Sequence, residues 1–184
     1  MTNVSNAIQA ALDAYDRPDL ENVLKSRVRS ALYELHGAAL FPQDLTVSSP
    51  VTYEDKVEIT TPTDMRMFNR VIAYVDGVEQ NYQFTEASVI NPLDYYGAVV
   101  PRHYLRRGNK IIVSCTDVAA SAVAAEYYKY PSYDQETLET DSWIPEDILI
   151  HKLTAYVAKF AGKQDEVSGW ERKALETLEA LYGA

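Results

Sequence analysis

The side chains able to do chemistry are few and scattered. The three histidines, His36, His103 and His151, fall at no spacing that would bring two of them onto one metal ion. The chain contains no G-x-S-x-G, H-E-x-x-H, Walker A or G-x-G-x-x-G motif. Cys115 is the only cysteine, which excludes an internal disulfide and a Cys-rich zinc site and fits a reducing compartment. Cys115 and His103 are the types needed for a nucleophile and its base. However, Cys115 closes an apolar run, where a buried, inert thiol is the ordinary role. Asp134, Glu136, Glu139 and Asp141 are carboxylates at a density that can hold Ca²⁺, but they lack the glycine and ligand order of an EF-hand and read as a solvated loop. Arg102, Arg106 and Arg107 form a basic knot beside His103. Such a knot suits a phosphate or an acidic partner, and equally suits a hairpin edge kept soluble by charge. Tyr95, Tyr96 and Tyr104 could stack a sugar or a base. That gives an alternative reading as a ligand-binding or enzymatic α+β domain with a Tyr-rich pocket.

Composition narrows these options. With 184 residues, 47% of them hydrophobic and 24% charged, the chain is long enough to bury a core without a metal or a staple. No apolar run approaches the roughly 20 residues of a membrane span, and the start of the chain has no basic stretch followed by an apolar one, so neither a membrane partner nor a signal peptide is expected. A net charge of −10 argues against a general nucleic-acid binder, because neutralising phosphates takes clustered Lys and Arg. Residues 132–184 alone hold eleven acids against five bases. The 14 tyrosines against 4 phenylalanines suit half-buried surfaces that meet other chains, and also suit β-strands.

Three blocks must position these groups. Leu20, Val23, Leu24, Val28, Ala31, Leu32 and Leu35 make one helical stripe, opened near Pro18 and closed at Gly37; Ile8 to Tyr15 reads as a short separate helix. The middle reads as strand: Val57–Thr60, then Arg70–Val75 turning through Asp76-Gly77 into a return strand Val78–Phe84, then Lys110–Cys115 after Gly108-Asn109. Residues 118–130 carry opposing signals, alanine for helix and the Tyr-rich end before Pro131 for strand. Asp141 to Asp147 is a helix start, followed by a stripe of Leu149, Leu153, Tyr156, Val157 and Phe160 that ends at Gly162. Val167, Trp170, Ala174, Leu178 and Leu181 form a last stripe, and the short link predicts an antiparallel pair. The expected fold is α+β: a helical lobe from residues 1–45 and 141–184, a mostly antiparallel β lobe over 46–131, and a mobile connecting loop at 131–141, all within a single domain.

Four stretches in order carry a family resemblance: Pro18-Asp19-Leu20 with Arg27 and Arg29; Pro62-Thr63-Asp64-Met65 followed by Asp76-Gly77; Pro101-Arg102-His103-Tyr104 leading through Arg107-Gly108-Asn109 to Val113; and Tyr127-Tyr128-Lys129-Tyr130-Pro131 with Asp141-Ser142-Trp143 and a helical hairpin. From about Pro18 to the C-terminus this order resembles the head-to-tail adaptor, or connector, proteins of tailed bacteriophages, especially short-tailed ones. The resemblance implies a structural virion protein in the neck between capsid and tail, assembled in the host cytoplasm. It implies a ring of self-copies, usually a dodecamer, beneath the portal protein, which docks tail nozzle or tube proteins and lets double-stranded DNA pass without sequence-specific binding. A different neck or tail completion protein is the nearest alternative. The resemblance also implies that 127–130 is strand, and it carries no catalytic residue, metal or cofactor. The candidate interface residues are the basic Arg102, Arg106 and Arg107, the strand tyrosines Tyr127, Tyr128 and Tyr130, and, in the acidic last third, Trp143, Trp170, Leu181 and Tyr182.

Overall fold

In the computed structural model the described residues are 2–38, 40–53, 56–87, 102–115 and 120–182. Tyr95, Tyr96 and the Cys115 side chain lie outside what is described. The chain is α+β and divides into two compact units, residues 1–44 with 130–184 and residues 45–129.

The first unit is helical. Asn3 caps α1 (Val4–Asp13) by accepting the Asn6 N–H at 3.1 Å. Asp16, at φ 51°, breaks the chain before a 3₁₀ turn at Pro18–Leu20. Helix α2 (Glu21–Gly37) buries Leu24, Val28, Ala31, Leu32 and Leu35, as its stripe predicts, and adds His36 to the buried face. A second 3₁₀ turn, Pro42–Asp44, closes this part of the chain. Helix α3 (Glu146–Phe160) carries Glu146 and Asp147 in its first turn, where the helix dipole favours acids. It ends through Gly162 at φ 75°, a left-handed position that lets Lys163 N–H reach the Ala158 carbonyl at 2.9 Å. Helix α4 (Gln164–Tyr182) returns along α3, which also packs on α1 and α2. Leu24, Leu32, Leu149, Leu153 and Leu178 fill the shared core.

Three expectations for this unit are corrected, the first being Phe160, which does not join the stripe of α3 and is exposed. Leu181 does not join the stripe of α4 and is exposed; the i, i+4 row Ala174–Leu178–Tyr182 turns inward instead. The 131–141 loop is not loose. Tyr133 pairs with Thr140 as an isolated bridge, Asp134 N–H donates to the Glu139 carbonyl at 2.9 Å, and Ser132 N–H donates to Asp141 at 2.7 Å. Tyr133 is buried in the helical core, its hydroxyl donating to the Lys25 carbonyl at 3.1 Å, while Arg29 donates to the Tyr133 carbonyl at 3.0 Å. The loop folds because one aromatic side chain among its polar residues has a core to enter.

Among its described residues the second unit holds nine strands in two sheets: β1 (Leu45–Val47), β2 (Val51–Thr52), β3 (Lys56–Thr60), β4 (Met65–Val75), β5 (Val78–Gln80), β6 (Thr85–Glu86), β7 (Arg102–Arg107), β8 (Lys110–Cys115) and β9 (Ala122–Lys129). One sheet runs β1-β9-β4-β5, with β2 also on β9; the other runs β3-β8-β7-β6. Every pair is antiparallel except β6–β7. The hairpin at Asp76-Gly77 forms with both residues at positive φ, 51° and 79°. Its return strand stops at Gln80, short of the expected Phe84. The alanine-rich stretch is strand over Ala122–Lys129. Tertiary placement overrides propensity here, because β9 sits between β4 and β1/β2 and its small residues leave room for Phe68 and Val71 on the core side.

Candidate functional site

The basic knot does not survive as one cluster. In β7, alternation puts Arg102, Tyr104 and Arg106 on one face and His103, Leu105 and Arg107 on the other. Arg102 lies over the Tyr82 ring at 4.4 Å, and Arg106 pairs with Glu86 at 2.7 Å. Arg107 is exposed beside the Gly108 turn. Tyr104 packs its ring on Phe68 at 5.0 Å. His103 is paired across the ladder with Ser114, the backbone partner of Cys115 is Arg102, and the His103 Nδ1 faces the Thr85 carbonyl at 3.2 Å. Two carboxylates of the loop, Asp134 and Asp141, serve its own backbone: Asp134 accepts from the N–H of Glu136 at 2.8 Å and of Thr137 at 3.4 Å, which holds its carboxyl below the usual range. Among the described residues no group of three or more His, Cys, Asp or Glu side chains could hold a metal ion.

The tyrosines of β9 divide by face. Tyr127 is buried against Phe68, and its hydroxyl donates to Asp64 at 3.1 Å; burial first, then that carboxylate, push the phenol up to about 12. Tyr128 turns to the opposite face under the Arg66 guanidinium, 5.8 Å from the ring centre. Glu126, on that same face, is held below its ordinary carboxyl range by Arg70, which donates Nε–H at 2.9 Å, and by Asn69. Tyr130, in the helical unit, stacks on Tyr33 with ring centres 4.2 Å apart.

The constellation the sequence does not advertise lies in the helical unit. His36 Nε2 is 2.9 Å from Ser142 Oγ, and its Nδ1 is 2.8 Å from Asp44 Oδ1. These are the partners and distances of a Ser-His-Asp triad. His36 and Ser142 are 1% exposed and Asp44 is 2% exposed. No substrate carbonyl can reach Ser142 Oγ in that state, and the hydroxyl is also committed to the Ile144 N–H at 3.2 Å. The arrangement therefore works as a structural lock. Trp143 Nε1–H donates to Asp44 at 2.7 Å, and the Trp143 ring meets His36, Phe41 and Tyr182 edge-on. The Thr2 hydroxyl donates into the same region, to the Ser142 and Ile144 carbonyls. The one sequence signal was His36 itself, one turn beyond Leu32 on the apolar face of α2. A second anchor joins Trp170, whose Nε1–H donates to the Tyr15 hydroxyl at 2.9 Å, and Glu166, which accepts from that hydroxyl at 2.5 Å. Of the candidate residues, Trp143 and Tyr182 thus come together, with Leu181 exposed beside them, while Trp170 sits with Tyr15.

These polar groups brace the fold of the helical unit. A family model described as "SU10 adaptor protein" matches residues 2–184, and the chain belongs to this family of phage adaptor proteins. No curated protein matches it.

Proposed function

We propose that this adaptor is a non-enzymatic virion component of the neck, assembled as a ring beneath the portal, where it extends the DNA channel and docks the tail. The observation that carries the reading is the family match over nearly the whole chain. The burial of the triad-like residues supports a subunit without catalysis, since the only Ser-His-Asp arrangement among the described residues is sealed. A ring built head to tail needs two unlike matching faces on each copy. The acid excess of residues 132–184 suits a surface that meets basic partners, and an acidic lumen would let DNA slide where a basic one would grip it. The portal and the tail proteins are the partners, with further copies of the chain on either side. Among the described residues no helix is long and apolar enough to cross a membrane.

The test is genetic and structural. Removing residues 170–184 deletes most of α4, including Leu178 and the Tyr182 ring. Particles made with that truncation are expected to retain the portal, lose DNA and lack tails in electron micrographs. Normal tailed particles made with the truncated protein, or wild-type particles that never contain the full-length one, would overturn the reading.

A further inference from the structure

A buried polar atom of α3 is taken up by neither the His36 lock nor the Trp170 anchor. His151 Nδ1 is buried and has no hydrogen-bond partner among the described residues. The ring itself is half-buried where α3 meets α4, its centre 5.8 Å from that of Trp170 at an interplanar angle of 31°. The same indole carries the Lys173 ammonium, 5.1 Å from its centre. Trp170 is also tied to the end of α1, because its Nε1–H donates to the Tyr15 hydroxyl at 2.9 Å and that hydroxyl donates to Glu166 at 2.5 Å.

This place suits a neutral imidazole. With its hydrogen on Nε2, the neutral ring leaves Nδ1 a bare acceptor, whereas an imidazolium must place a second N–H. No acceptor stands at Nδ1 among the described residues, so the new donor would be buried unpaired. The charge would also share one indole face system with Lys173. The charges acting on the ring are Lys173 from α4 and Asp147, one turn back on α3. The next charges along this seam pair with each other, Lys152 of α3 with Glu34 of α2 and Glu171 of α4. Burial first, and then Lys173, hold the imidazole below its ordinary range, with Asp147 opposing them. The folded state therefore binds fewer protons here than the unfolded chain. The contribution of the neutral ring is full above the ordinary histidine range and is lost as pH falls through the folded value.

We propose that His151 is an acid-sensitive latch on the first half of α4. Neutral, the ring packs on Trp170 and the seam between α3 and residues 164–173 is closed. A proton taken from solvent at Nδ1 drives the ring out to water, the Trp170 contact is lost, and residues 164–173 loosen from α3. The second half of α4 stays seated, because Ala174 and Leu178 lie in the core and the Tyr182 ring meets Trp143. Helix α4 carries five of the eleven acids of residues 132–184, so the latch also governs part of that acidic surface. The latch belongs to the single subunit and stands apart from the ring reading.

The full-length protein labelled with fluorotryptophan tests it, by ¹⁹F NMR and backbone hydrogen exchange between about pH 8 and about pH 5. Trp170→Phe assigns the two resonances. The Trp170 resonance is expected to titrate with a midpoint below the ordinary histidine value, and amides of residues 164–173 to exchange several-fold faster at the acid end, after correction for intrinsic rates, while those of residues 174–182 do not. His151→Gln should abolish both changes. Lys173→Met, at an exposed position, should move the midpoint to higher pH and checks the latch without altering the ring. A titration that survives in His151→Gln, a titration without faster exchange in residues 164–173, or a midpoint unmoved by Lys173→Met would overturn the proposal.

Discussion

Replacing Ser142 by alanine separates a structural lock from a catalytic centre. With His36 Nδ1–H donating to Asp44 at 2.8 Å, Nε2 is the acceptor for the Ser142 hydroxyl at 2.9 Å, and the same oxygen accepts the Ile144 N–H at 3.2 Å. Ser142→Ala leaves one buried acceptor and one buried donor without partners. Each such group costs about 1–3 kcal/mol, and the small void lets part of that relax, so a loss of about 2–4 kcal/mol is expected. Urea unfolding followed by tryptophan fluorescence reads this directly, since Trp143 and Trp170 both lie in the helical unit. The midpoint should fall with little change in slope. A fluorophosphonate probe should label neither protein, because Ser142 is 1% exposed. An unchanged midpoint, or stoichiometric labelling of the wild type that Ser142→Ala abolishes, would refute the reasoning.

Three further outcomes follow from the packing. Leu153→Ala, at a fully buried position of α3, should lower stability by about 2–5 kcal/mol in the same unfolding assay. Tyr127 has its phenol raised from near 10 to about 12, so the folded state holds a proton that the unfolded chain releases; its stabilising contribution is full below pH 10 and lost as pH rises through about 12. Tyr127→Phe should flatten that alkaline decline, measured by circular dichroism of the β unit. Glu126 has its carboxyl lowered by Arg70, so it contributes stability above the ordinary carboxylate range that is lost as pH falls through the folded value; because Arg70 is half exposed, Arg70→Met should cost about 1 kcal/mol at pH 7 and reduce the acid sensitivity, read by unfolding at pH 7 and pH 3.

The local signals in the chain had local physical causes. The stripe of α2, the Asp76-Gly77 turn, the stop at Gly162 and the Lys110–Cys115 strand are set by periodicity and by residues that tolerate positive φ, and each stands where its residues place it. What could not be read are contacts between residues far apart in the chain. Ser142 and His36 are 106 positions apart, and nothing in either neighbourhood announces the other. The 131–141 loop looks solvated by composition, yet Tyr133, with Leu138, anchors it in the helical core. The basic knot at 102–107 is compact in sequence but split by the pleat of β7. Trp143 and Tyr182 were recognisable as candidates by residue type, whereas the irregularities of β4 that bring Arg66 over Tyr128 and Asn69 to Glu126 leave no trace in a period-two pattern. Strand β9 shows the limit of propensity: its alanines favour helix, and only its neighbours make it a strand.

The central claim is that the chain is a structural neck subunit that forms a ring on the portal. Single-particle electron microscopy of mature particles, focused on the tail vertex without imposed symmetry, tests it most directly. The account predicts a closed ring of this chain between portal and tail around the DNA channel, into whose density the helical unit and the β unit each fit. A tail vertex in which portal and tail meet directly, or density for this chain at any other place in the particle, would contradict it.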